Sequence, residues 1–76
     1  MFKTLKRNKL WKQAEQCEKE IDLYTDQIKV LKEVLTLSND EETIGKALET
    51  LREVEILRCE KQAEQMKILD EWYRLC

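Results

Sequence analysis

A chain of 76 residues suffices for one small domain, and 39% charged residues with no proline and a single glycine favour long exposed helices over turn-rich sheets. No uncharged apolar run approaches the roughly 20 residues that cross a bilayer, and the lack of histidine removes the commonest general base and the commonest metal ligand together. The net charge of −2 is unevenly spread: residues 1–12 hold Lys3, Lys6, Arg7, Lys9 and Lys12 and no acid, an arm of +5, while the other nine basic and all sixteen acidic residues leave −7 for the rest.

No uninterrupted apolar stretch follows the basic arm, so it does not read as a secretory signal. Three cysteines without such a signal fit a reducing compartment, and a cytoplasmic location is expected. The arm also contains Phe2, Leu5, Leu10 and Trp11. Its expected use is a helix start packed against the C-terminal Trp72 and Tyr73; contact with a membrane surface or with nucleic acid is the alternative.

From Leu10 the apolar residues run Leu10, Ala14, Cys17, Ile21, Tyr24, Ile28, Leu31 and Leu35, alternating steps of four and three. This heptad seam predicts a helix over about 3–37 that packs along its length against another helix. Ser38-Asn39-Asp40-Glu41-Glu42 follows, a turn over about 38–40 in which Ser38 or Asn39 would cap a second helix and Ser38 with Glu41 would form a capping box.

The second helix is expected over about 40–75. At about 100° per residue, Ile44, Ala47, Leu48, Leu51 and Val54 share a face to which Met66, Leu69, Trp72, Tyr73 and Cys76 return. Glu55, Arg58, Gln62 and Gln65 interrupt that face; a polar layer inside an apolar seam fixes register or oligomer state at a cost in stability. Gly45, in the first turns, hints at close backbone approach near the turn.

The expected fold is all-α, a single antiparallel two-helix hairpin of coiled-coil type, with helices about 50 Å long joined by a short connection. Facing residue numbers should add to about 77. The pentapeptide KQAEQ occurs at 12–16 and again at 61–65, and that sum places Ala14 opposite Ala63, Cys17 level with Cys59, Trp11 near Met66 and Leu5 near Trp72.

A hairpin buries one stripe per helix, yet Leu23, Val30, Val34 and Leu37 form a second apolar set on the first helix, and Leu57, Ile68 and Leu75 another on the second. A core of this size rarely suffices alone. The expected covering is a second copy, giving a homodimeric four-helix bundle, or a different protein docked on the stripes.

Chemistry is weakly signalled. Neither Cys17 nor Cys59 sits in a Cys-x-x-Cys pair, so core packing is expected of them before a disulfide or a metal. Glutamates have lysine neighbours one helical turn away, as in Glu15 with Lys19 and Glu42 with Lys46, and no nucleophile-and-base set or phosphate-cradling glycine loop is present. The expected function is non-enzymatic, without cofactor or metal: an adaptor, regulator or inhibitor that binds another protein through the stripes. A nucleic-acid- or membrane-contacting module using the basic arm, or a purely structural oligomerisation domain, are the alternatives.

Overall fold

A computed structural model describes residues 2–75, with side chains from Thr4 to Leu75; the side chain of Lys3 in the basic arm, and Cys76, lie outside the described residues. Two helices, α1 (Phe2–Leu37) and α2 (Glu41–Arg74), pack against each other along their length. The molecule is a rod of 59 × 14 × 12 Å, all-helical among the described residues, with the two helices running antiparallel.

The turn occupies 38–40 as the sequence suggests, but the cap of α2 falls later within it. The Ser38 amide still donates to the Val34 carbonyl at 2.9 Å, which extends the α1 ladder past Leu37. Asp40 rather than Ser38 or Asn39 is the N-cap of α2: its backbone is extended (φ −87°, ψ 120°) and its carbonyl accepts the first helical bond from the Ile44 amide at 3.0 Å. Ser38 serves the cap indirectly, its Oγ accepting from the Asp40 amide at 3.3 Å, and the Thr43 hydroxyl donates to Asp40 Oδ2 at 2.8 Å. That hydroxyl holds the Asp40 carboxyl below its ordinary pKa. Glu41 and Glu42 then place negative charge where the helix dipole favours it.

Gly45 does not serve close packing. It is exposed, its φ is not positive, and a methyl group built there would meet open space.

The α1 seam is as its spacing implies: Leu10, Ala14, Cys17 and Ile28 are buried, and Ile21, Tyr24, Leu31 and Leu35 are half-buried between the helices. Burying a side chain such as Ile28 contributes about 1.5–3 kcal/mol. On α2, Ile44, Ala47, Leu51 and Val54 form the matching apolar stretch. Beyond Val54 the same alternation of steps continues as Arg58, Lys61, Gln65, Ile68, Trp72 and Leu75, all half-buried. Leu48, Met66 and Tyr73 are exposed instead. An isolated 3.6-residue helix drifts about 20° per heptad from a 3.5-residue repeat, and two helices that stay in contact follow the repeat, so extrapolation at 100° per residue rotates onto the wrong face by the end of α2.

Contacts across the pair join residues 14 with 65, 7 with 72, 20 with 61 and 11 with 72, numbers that add to 79–83 rather than about 77. The later start of α2 and the length of the reaching side chains account for the difference. One consequence is that Trp11 stacks on Trp72 while Met66 and Leu5 are exposed.

Candidate functional site

Three regions have side chains arranged beyond what the seam requires. The first is one side of the rod towards the turn. Leu23, Val30 and Leu37, spaced by one heptad each, are 61%, 58% and 81% exposed; Val34 between them is half-buried. Leu23, Asp26, Gln27, Val30 and Leu31 of α1 and Thr50 of α2 border an open hollow of about 450 Å3. Leu57, seven residues beyond Thr50, is exposed on the same helix face. The other two residues expected on an α2 stripe are placed elsewhere: Ile68 and Leu75 are half-buried at seam positions.

The second region is the polar middle of the seam. Glu55, Arg58 and Gln65 are half-buried, whereas Gln62 is exposed and takes no part. Gln65 donates through Nε2 to the Ala14 carbonyl at 3.2 Å, a carbonyl already inside α1. Lys61, absent from the expected layer, bonds Glu20 and Glu64 at 2.9 Å each. Those two carboxylates, Glu64 before Glu20, raise the Lys61 pKa above its ordinary value. Arg58 buries its Nε with no hydrogen-bond partner among the described residues. Extending the alternation of three and four past Val54 finds Lys61; reading only apolar residues does not.

The third region is the open end, where both termini lie. Arg7 is half-buried at a seam position with its guanidinium 4.5 Å above the Trp72 ring, a cation–π contact. Trp72 in turn stands 5.4 Å from Trp11, tilted by 45°, and 5.1 Å from Tyr73, edge to face. Arg7 therefore belongs to the helix–helix contact as well as to the basic arm, while Lys6, Lys9 and Lys12 are exposed.

The cysteines do not meet. Cys17 is buried, and burial before all other causes pushes its thiol pKa up; Cys59 is exposed. Among the described residues no group of three or more cysteine and carboxylate side chains could hold a metal ion, and no helix is long and apolar enough to cross a membrane. The i, i+4 pair Glu42–Lys46 forms at 3.4 Å on the surface, where it contributes little.

The geometry thus offers apolar contact on one side, a polar cluster in the middle with Lys61 and Gln65 bonded and the Nε of Arg58 without a hydrogen-bond partner among the described residues, and a cationic aromatic end. No protein-family model, no curated protein and no solved structure matches the chain.

Proposed function

We propose that the chain is a non-enzymatic protein-binding module that self-associates through the apolar side near its turn, as hairpins assembling into a four-helix bundle, and acts as an adaptor, regulator or inhibitor of a larger protein. The supporting observation is the line of Leu23, Val30 and Leu37. Single exposed apolar residues are ordinary on a surface, but three at heptad spacing beside Leu57 make a continuous strip, and such strips mark interaction sites. A rod only 12–14 Å across also has little core: none of its side chains, among the described residues, is wholly removed from solvent. Covering the strip would add the burial that a hairpin of this size lacks.

The basic arm supports the alternative of an anionic partner less well, because Arg7, one of its five cations, is engaged with Trp72. Native affinity capture with wild type, with Val30→Glu and with residues 1–9 removed separates the two. A protein partner lost with Val30→Glu and retained at high salt fits the proposal; recovery of only nucleic acid or lipid, abolished by removing the arm, refutes it.

A further inference from the structure

The geometry points to a definite arrangement of that self-association: two copies packed antiparallel about a two-fold axis at Val30, the basic ends at opposite extremes. The inference rests on the protein-binding proposal and adds what covers the strip and in which orientation.

On α1, Leu23, Gln27, Val30, Val34 and Leu37 follow at steps of four and three, and so share one face. On α2, Lys46, Thr50, Glu53 and Leu57 do the same. Thr50 borders the hollow that Leu23, Gln27 and Val30 line, which sets the Thr50 edge of the second set on the same side of the rod. Exposed Lys46 and Glu53 stand at its outer margin, where Glu53 also borders a hollow with Leu48 and Arg52. A two-fold axis across the rod at this side lays α1 over the α1 of its partner and α2 over the partner's α2, each reversed. Val30 then meets its own counterpart, and Leu23 meets Leu37 on either side of it. On the other helix pair, Lys46 meets Glu53 twice, opposite charge on opposite charge.

These two matches come from different helices and need a common centre. The centre of the α1 set is Val30; the midpoint of Lys46 and Glu53 falls between Glu49 and Thr50. The observed register, with facing numbers adding to 79–83, places Val30 level with residues 49–53, a span that contains this midpoint at its near end. One axis therefore satisfies both.

The parallel alternative lays α1 over the partner's α2 at the same level. Leu23 would meet Leu57, but Val30 would meet Thr50 and Val34 would meet Lys46, leaving most of the strip on polar groups. It would also bring both arms of +5 to the same end of the bundle, where Lys67 and Arg74 are offset by Asp70 and Glu71 and so do not neutralise them. In the antiparallel pair the arms are far beyond the screening length of about 8 Å at physiological salt.

The full-length chain tests this in a Cys59→Ser, Cys76→Ser background, with buried Cys17 retained. Mass in solution is expected at twice 9.2 kDa, and Val30→Glu, which brings two carboxylates together at the axis, is expected to weaken the dimer by at least about a hundredfold. Under mild oxidation Val30→Cys should crosslink to itself, and Leu23→Cys mixed with a size-tagged Leu37→Cys should give the mixed dimer. A crosslink of Leu23→Cys with Leu57→Cys and none at Val30→Cys overturns the antiparallel arrangement in favour of the parallel one. A dimer by mass that crosslinks at none of these positions overturns this side as the interface. A monomer at all concentrations overturns self-association, whereas binding to a different protein stands or falls separately on the Val30→Glu capture.

Discussion

The pentapeptide KQAEQ occupies opposite orientations in its two copies. In residues 12–16 the alanine is the seam residue: Ala14 is 4% exposed, and Lys12, Gln13, Glu15 and Gln16 point to solvent. In residues 61–65 the alanine is outside: Ala63 is exposed, and Lys61 and Gln65 turn inward. The two meet, but Gln65 of one bonds the Ala14 backbone of the other, so a polar side chain and not a second alanine fills the gap. Identical residues thus do different work according to their phase in the heptad. Phase is a property of the whole helix, set by Ile44, Ala47, Leu51 and Val54 well before the second copy begins.

The cysteines flanking the copies give the largest expected difference. In a Cys76→Ser background, Cys59 should react with a thiol reagent in the native state, while buried, protonated Cys17 should react at least about a hundredfold more slowly until the chain unfolds, the ratio reporting local opening. Equal rates would mean that the first copy is not in the seam.

Enlarging the alanines probes the same contrast in stability. Ala14→Leu overpacks the seam and should cost about 1–3 kcal/mol by urea denaturation, whereas Ala63→Leu should stay within about 0.5 kcal/mol of wild type. Comparable losses would break the comparison.

Arg58, one turn before the second copy, sharpens it in the other direction. Its buried Nε has no hydrogen-bond partner among the described residues, and leucine at this seam position removes that desolvation cost, so Arg58→Leu should raise stability by about 1–2 kcal/mol. A lower denaturation midpoint would show that the arginine is satisfied in solution.

Gln65→Ala deletes the bond to the Ala14 carbonyl and should cost about 0.5–1.5 kcal/mol, while exposed Gln16→Ala should be near neutral. The smallest effect is the pH dependence from Lys61. Its folded pKa lies above the unfolded value of about 10.4, so its contribution is complete below that pH and is lost as pH rises through the folded value. Stability of wild type relative to Lys61→Met should therefore be flat from neutral pH to about pH 10.4 and decline above it. A difference that grows with pH would contradict the pairing with Glu64 and Glu20.

Much of the hairpin was legible in the residues. The seam from Leu10 to Leu35 could be read because every one of its positions is apolar, and the position of the turn because Ser38, Asn39 and Asp40 separate two periodic stretches. Ser38, Asn39 and Asp40 are all good caps, so choosing among them needed the backbone, which reaches the extended region at Asp40. The exposed strip was legible in Leu23, Val30, Leu37 and Leu57. Ile68 and Leu75 were misplaced, and Lys61 missed, for one reason: where a seam turns polar, hydropathy no longer marks it.

The sequence by itself determined two long helices, one turn and the α1 face, because apolar spacing and helix-capping chemistry are local and unambiguous there. Tertiary structure alone decided the inward face of α2 beyond Val54, the register and the opposite orientations of the two KQAEQ copies. Those depend on contact with α1, which holds α2 to a 3.5-residue repeat through a stretch where Arg58, Lys61 and Gln65 replace the apolar residues that would otherwise reveal it.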